Sequence, residues 1–358
     1  MSTMLCYAIT AMIVYSFDPL RDPRWTELLE GHPRASIFHT PGWLSALRRT
    51  YEYEPVAFTT SPPNSRLTNG IPFSRIDSWL TGSRLVSVAF ADHCQPLVRE
   101  PDECVDLLRQ LPQVCSRANY GYLELRVLNS HVPGLEERAG LANSESFAYH
   151  ELDLQPDLEM LFRGLHPSCM QRKIRRAERE GLTYEAGKSD EMLKQFYSLL
   201  LLTRRRHGLP PQPFAWFRNL RDCLGDAFKI HVASNNRRPV ASILTLRHKN
   251  ALVYKYGCSD TRFHAMGGMP FLFWRAIQNA KALGLDKFDL GRSDADDHGL
   301  IAFKNHLGGT RSLLNYYRYP HKPGPVISRR SPLSSRICSY LPDFLLKAAG
   351  DLLYRHIG

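Results

Sequence analysis

No apolar run in this 358-residue sequence reaches the ~20 residues that a membrane-spanning helix needs, which excludes an integral membrane protein built on helices. Met4 to Tyr15 is apolar, but it lacks a basic leading region and is soon followed by Asp18, Arg21 and Asp22. Its end, Met12 to Ser16, reads as a first strand, with a signal peptide as the alternative. Paired cysteines are also missing. Cys6, Cys94, Cys104, Cys115, Cys169, Cys223, Cys258 and Cys338 form no CxxC pair and no close Cys/His cluster along the chain. That spacing argues against a structural zinc site, leads us to expect no metal, and suits a reducing cytosol. Acid is scarce as well: 35 Asp and Glu against 46 Lys and Arg leave a formal charge of +11. Such a surface favours nucleotide phosphates, RNA or an anionic membrane face, or is simply a basic, soluble exterior.

The length predicts two domains with enough apolar residues for two cores. In the first half, a helix is expected over Trp25–Glu30. Thr40-Pro41 supplies an N-cap and first-turn proline for a helix through Arg49. Strands follow at Val56–Thr60, Gly70–Arg75 and Leu85–Phe90, then a helix over Asp102–Ala118 and a strand at Tyr122–Arg126. The second half opens with a strand at Ala148–Leu154 and helices over Asp157–Leu165, Ser168–Glu180, Asp190–Arg206 and Phe214–Cys223. Strands at Phe228–Ala233, Val240–Arg247 and Ala251–Gly257 come next. A helix over Pro270–Leu283 closes at Gly284, a strand covers Lys287–Leu290, and a last strand covers Ser312–Tyr319. The tail after His321 has an amphipathic pattern that suits either docking on the body or lying on a membrane interface.

Two stretches resemble each other. Ala118-Asn-Tyr-Gly-Tyr-Leu-Glu124-Leu-Arg126 and Ala282-Leu-Gly-Leu-Asp-Lys-Phe-Asp289-Leu-Gly-Arg292 both end a helix near glycine and feed a strand carrying acid, Leu and Arg. This predicts two copies of one α/β unit with a boundary near residues 145–155.

The second copy carries the denser chemistry. Lys287-Phe-Asp-Leu-Gly-Arg-Ser-Asp294 reads as a strand opening into a charged loop, a common location for sites in α/β proteins. Asp289 and Asp294 are candidate bases there, against a buried structural acid and a helix cap, respectively. Asp296-Asp297-His298 fits a helix N-terminal turn better than a cation loop. Lys304, one helical turn beyond Gly299-Leu300, is placed to reach back toward the loop, where it would meet a carbonyl oxygen or phosphate. Arg262-Phe-His-Ala-Met-Gly267-Gly268 precedes a helix, as a pyrophosphate cradle would. Arg172, Arg175, Arg176 and Arg179 make one helix cationic, for phosphate or RNA contact or as a solvated face.

In order along the chain, Phe38-His-Thr-Pro-Gly-Trp-Leu44, Arg84-Leu-Val-Ser87, Leu165-His-Pro-Ser168, Ile174-Arg-Arg-Ala-Glu-Arg-Glu-Gly-Leu182, Tyr256-Gly-Cys-Ser259, Phe271–Ala280, Phe288-Asp-Leu-Gly-Arg-Ser293 and Phe303-Lys304 are similar to FemAB-like proteins of the GNAT acyltransferase superfamily. The resemblance covers roughly residues 12–320. It implies an α/β fold of two tandem GNAT-like domains, 12–150 and 151–320, each a mixed sheet flanked by helices, with 321–358 as an amphipathic tail. It implies acyl or aminoacyl transfer from acyl-CoA or aminoacyl-tRNA to an amine, or a hydroxyl, of a nucleotide- or lipid-linked envelope or exopolysaccharide precursor. Lys304, Asp289 and Asp294 are the expected catalytic residues. Arg292, Ser293, Phe303, Tyr254, Tyr256, Arg262, Gly267, Gly268, Arg175 and Arg176 are the expected contacts to substrate and donor, with tRNA a further partner. The expected location is the cytoplasm, with peripheral contact at the inner membrane face through the tail. The competing reading is a non-catalytic basic module that binds RNA or an anionic glycan.

Overall fold

A computed structural model describes residues 13–128, 134–320 and 341–358. In the first half, strands β1 (Tyr15–Phe17), β2 (Glu54–Thr59), β3 (Ile71–Ile76), β4 (Arg84–Ser87), β5 (Tyr122–Leu128) and β6 (Ala142–Asp153) are joined by helices α1 (Pro23–Gly31), α2 (Pro41–Tyr51), α3 (Pro101–Arg117) and α4 (Leu135–Ala139). The second half contributes β7 (Thr183–Gly187), β8 (Phe228–Asn235), β9 (Arg238–His248), β10 (Ala251–Ser259), β11 (Lys287–Asp294) and β12 (Thr310–Tyr319). Its helices are α5 (Leu158–Gly164), α6 (Arg172–Arg179), α7 (Asp190–Arg206), α8 (Phe214–Leu224), α9 (Gly268–Ala282) and α10 (His298–His306), and α11 (Asp343–Ile357) follows in the tail.

The strands form one twelve-stranded sheet in the order β1-β2-β3-β4-β5-β12-β6-β11-β10-β9-β8-β7. All pairs are antiparallel except β4–β5 and β10–β11. Each of those parallel pairs is bridged by a long helix, α3 or α9, as a parallel crossover requires. The two stretches that resemble each other in sequence are therefore equivalent strands, β5 and β11. The final strands of the two halves have changed places: β12 lies against β5, and β6 lies against β11. The expected boundary between residues 150 and 151 falls inside β6.

The helices form where local signals place them. Thr40 Oγ1 accepts from Trp43 N over 3.3 Å, and Pro41 begins α2. Trp43, Leu44, Leu47 and Tyr51 line one buried face, and Trp43 meets Trp216 of α8 edge-on at 5.3 Å. That core also takes Phe38 and Val86 from the first half and Phe196, Leu244 and Tyr256 from the second, so one apolar cluster spans both.

Three expectations need correction. The Gly291-Arg292-Ser293-Asp294 stretch is strand rather than loop, because β6 pairs with it as far as Asp294↔Phe147. The strand expected to run to Phe90 stops at Ser87. Strand β7 was not anticipated: its alternating Thr183-Tyr-Glu-Ala-Gly187 is too short and polar to signal itself, and it forms as the outer neighbour of β8.

Helix α11 docks across both halves. Tyr53 donates to Tyr354 O (2.7 Å), Arg84 to His356 O (2.7 Å), and Tyr354 Oη to Pro210 O (3.2 Å). A Cβ at Gly350 would sit 2.0 Å from Pro211 O. Alanine ordinarily favours helix over glycine, yet Gly350→Ala is expected to cost about 1–3 kcal/mol through this overlap. Chemical denaturation checks it: a gain in stability would show that α11 does not pack at that distance.

Candidate active site

The parallel ladder between β10 and β11 covers Ala251↔Lys287, Leu252↔Phe288 and Val253↔Asp289, and the pairing goes no further. Each strand continues with its other neighbour, β10 with β9 to Ser259 and β11 with β6 to Asp294. The sheet is therefore split between Tyr254 and Gly291. At that point β11 bulges, and Gly291 takes a φ of +71°, where side chains are strained. A Cβ there would also lie 2.6 Å from Asp92 Oδ2.

Asp92 arrives from the first half, on the segment after β4. Its Oδ1 accepts from Lys255 Nζ of β10 over 2.9 Å. Tyr316 of β12 fixes the segment by donating to Asp92 O (2.8 Å). Burial works to raise the Asp92 carboxyl, but Lys255, then Arg292 and Lys304, outweigh it and hold it below the ordinary 3.8. The next residue, His93, places Nε2 2.9 Å from Asp289 Oδ2, and Asp289 Oδ1 accepts from Gly291 N at 2.7 Å. Asp289 is thus a buried acid with both oxygens engaged.

Lys304 is 2 % exposed, and its Nζ donates to Gly291 O (2.9 Å) and Arg292 O (2.8 Å). An ammonium has three N–H donors, so one remains for a ligand. Burial lowers its pKa to about 8, against the opposing pull of Asp92, Asp289 and Asp297. The group therefore titrates near neutrality, a property common among catalytic lysines.

Two cavities flank this centre. The first, about 380 Å³, lies among α6, α9 and α10 and is lined by Lys173, Ser259, His264, Met269 and Phe303, among others. The second, about 230 Å³, sits between the halves. It is lined by Asp92, Arg126, Arg204, Lys255, Tyr256 and Arg292 and closed by Ile357 and Gly358. Arg292 lies 4.2 Å over the Phe147 ring, and its Nη1 is buried without a protein partner, as is Ser293 Oγ. Arg126 and Arg292 approach the Tyr316 ring at 4.8 and 5.1 Å. The second cavity therefore presents four cations and one carboxylate.

Of the expected residues, the fold brings together Asp289, Arg292, Ser293 and Lys304, with Phe303 lining the first cavity and Tyr256 the second. Tyr254 packs on Phe273 at 4.8 Å beside the split. Others stand apart. Asp294 is half-buried at the end of β11, and the N-cap of α10 is Asp297, whose Oδ1 accepts from Leu300 N at 3.0 Å. Arg262 is clamped to Asp260 (2.6 Å) with its side chain 62 % exposed, outside the first cavity's lining. Arg175 covers Phe162 at 5.4 Å and Arg176 pairs with Glu180 at 3.0 Å, so the basic helix turns Lys173, rather than either arginine, toward the cavity. Gly267 has a φ of +79°, and a Cβ there would meet Lys173 O at 2.5 Å, while Gly268 abuts Ala241 and, unlike Gly267, also lines the first cavity. Both glycines serve close packing of α9 against α6 and β9.

Sequence reading missed Asp92, His93, Lys255 and Tyr316. Lys255 left one signal, a lone charge inside the apolar run Leu252–Tyr256. Asp92-His93 left another, two charge-bearing residues directly after an apolar strand. The absence of a close Cys/His cluster also holds only along the chain. In space His166, Cys169 and His306 place ligand atoms within 4.8 Å of one another, although His166 Nδ1 already accepts from Cys169 N at 3.2 Å.

The Asp92–Lys255 pair yields a pH test. Because the folded pKa of Asp92 is depressed, its stabilisation is complete above about pH 4 and is lost as pH falls through the folded value. Asp92→Asn leaves the buried Lys255 without its counter-charge and should cost about 3 kcal/mol at pH 7. Urea midpoints from pH 3 to 7 should show that gap closing toward acid; a gap of constant size would refute the coupling.

Residues 168–304 match the model of the acetyltransferase (GNAT) domain family. The chain is 26 % identical to the UDP-N-acetylmuramoylpentapeptide-lysine N(6)-alanyltransferase of Weissella viridescens, over 80 % of this chain and 89 % of that protein. Among solved structures, FemX superposes with a TM-score of 0.68 at 13 % identity, covering 86 % of this chain and 98 % of FemX. A tandem GNAT protein from the clavulanic acid biosynthesis pathway superposes with a TM-score of 0.54 at 13 % identity, covering 86 % and 97 %. With two α/β units joined in one sheet and a split parallel pair in the second, the chain is similar along most of its length to FemAB-like proteins of the GNAT acyltransferase superfamily.

Proposed function

We propose that this protein transfers an aminoacyl group from aminoacyl-tRNA to an amine on a nucleotide- or lipid-linked cell-wall precursor, with acyl-CoA as the alternative donor. The observation that carries the reading is the placement of Lys304. It is a buried ammonium with a donor to spare, held at the split in the sheet by two backbone carbonyls, next to Phe303, which lines the first cavity, and to Arg292, which lines the second. The Weissella relative, whose name specifies alanyl transfer to a lysine N6 amine, supports the choice of group and acceptor.

The donor's reactive end would enter the first cavity past Phe303. The acceptor's anionic portion would lie in the second, against Arg292, Arg204 and Arg126. The acceptor nitrogen attacks the donor's ester carbonyl, and Lys304 donates to the oxyanion as it forms. That attack forms the C–N bond; collapse of the oxyanion restores the C=O and breaks the C–O bond to the ribose, whose departing oxygen takes a proton. No covalent enzyme intermediate is required. Asp92, Asp289 and Asp297 are the carboxylates whose charge is felt at Lys304. Asp92 faces the second cavity, so it is the better-placed acceptor of the amine proton. Asp289, occupied by His93 and Gly291 N, keeps the split in shape, and Asp294 moves to the periphery of the scheme.

Lys304→Met should lower turnover by two or more orders of magnitude while the thermal midpoint holds or rises, since a costly buried charge is removed. Wild-type activity should decline as pH rises through about 8, where Lys304 loses its proton. Unchanged turnover in the variant would sink the assignment. Thermal shifts with aminoacyl-tRNA and acyl-CoA, tested separately, identify the donor.

A further inference from the structure

Helix ends fray easily, because their last carbonyls have no partner within the helix. The last turn of α11 is instead gripped by the first half. Tyr53 Oη donates to Tyr354 O (2.7 Å) and accepts from Gly358 N (3.1 Å). His356 O accepts from Thr81 Oγ1 (2.8 Å) and Arg84 Nη2 (2.7 Å), and Ser78 Oγ lies 2.9 Å from His356 Nδ1. Four side chains thus hold the stretch Tyr354–Gly358, although only Leu346, Gly350 and His356 of α11 are fully buried.

What this turn faces is the second cavity, which Ile357 and Gly358 line. The helix also braces the two segments that carry the cavity's charged groups. On one side, the Tyr354 ring lies 5.9 Å from that of Phe90, two residues before Asp92. On the other, Tyr354 Oη donates to Pro210 O, and Gly350 abuts Pro211. The next residue, Gln212, accepts from Arg204 Nη2 at 3.1 Å. A helix tied at its end and packed on both segments is a wall and not a flap.

Charge and volume describe what the wall encloses. Asp92 offsets Lys255, and Glu124 offsets Arg126. Arg204 and Arg292 are left as two cations without a carboxylate partner among the described residues. Arg292 Nη1 is buried without a protein partner, a costly state for a donor unless a ligand takes it. The volume of about 230 Å³ falls below the ~300 Å³ at which sites for whole small molecules begin. Such a space takes a compact dianionic group and leaves the rest of its molecule outside.

We infer that the last turn of α11 is the third wall of this cavity, and that Ile357 sets the size of the anionic group that enters, a phosphate or diphosphate. Tyr53 is a positioning residue, acting through the turn it grips. That the anion belongs to the acceptor rests on the function proposed above; the wall itself does not.

Titration calorimetry of the full chain with inorganic diphosphate tests it. Wild type should bind, and more weakly as salt rises. Arg292→Gln should weaken binding at least about tenfold. Ile357→Trp, which fills the cavity from the α11 side, should do the same. Tyr53→Phe, which loosens the turn, should weaken binding about threefold to tenfold. In transfer assays, Ile357→Trp and Tyr53→Phe should raise the acceptor KM in these proportions, with kcat and donor KM within about twofold of wild type. If Arg292→Gln loses diphosphate while Ile357→Trp and Tyr53→Phe bind it like wild type, the anion cavity stands and the role of α11 falls. If wild type binds no diphosphate, both fall. If all three variants lose diphosphate but keep the wild-type acceptor KM, the wall stands and the acceptor's anion lies elsewhere.

Discussion

The exchange of β6 and β12 is the constraint from which the site follows. Because β12 lies between β5 and β6, Tyr316 faces the segment after β4 and holds the Asp92 carbonyl. Because β6 lies beside β11, that strand remains extended to Asp294 although it has already parted from β10. A strand leaving its parallel neighbour normally strands a row of backbone groups. Here β6 supplies hydrogen bonds on one side, Lys304 takes the Gly291 and Arg292 carbonyls, Asp289 takes Gly291 N, and Asp92 fills the space beside Gly291. The split is stable because pieces of the other half fill it.

The two halves handle the same buried acid differently. On β5, Glu124 is closed by Arg126 (2.8 Å) and Arg318 (2.7 Å), a compensated arrangement that leaves no role beyond holding β12 in register. On β11, the equivalent Asp289 meets His93, and no arginine closes it. The cation nearby is Lys304, which leans on backbone carbonyls instead. Duplication thus produced one structural copy and one in which charges are buried without full mutual neutralisation. Such a state persists only when the surroundings fix it. The shared apolar core around Trp43 and Trp216 supplies that rigidity directly beneath Lys255, whose Nζ lies 5.8 Å from the Trp43 ring.

Much of the fold was legible because its signals are local. Thr40-Pro41 marks a helix start, the apolar pattern of Asp190–Arg206 gives α7, and Gly284 closes a helix before β11. Phe303 and Lys304 could be placed because a helix fixes what one turn reaches. Asp92 and His93 could not: their partners Lys255 and Asp289 are 163 and 196 residues away, and no periodicity encodes such a meeting. The Gly-Arg-Ser-Asp stretch was misread as loop for a related reason. Glycine and charge mean loop to local propensity, while the pairing that extends β11 comes from β6, in the other half.

The exchanged strands also set an order on synthesis. As the chain leaves the ribosome from its N-terminus, β5 is complete by residue 128, but the strand that covers its free edge ends at residue 319. Until then that edge, unless another strand covers it, is the kind of surface that invites misassembly. Strand β6 emerges early and is adjacent to β5 in sequence, so a transient β5–β6 pairing is the natural nascent arrangement. It must open later to admit β12. Completing the sheet then means bringing β12, the last of its strands to be made, between β5 and β6.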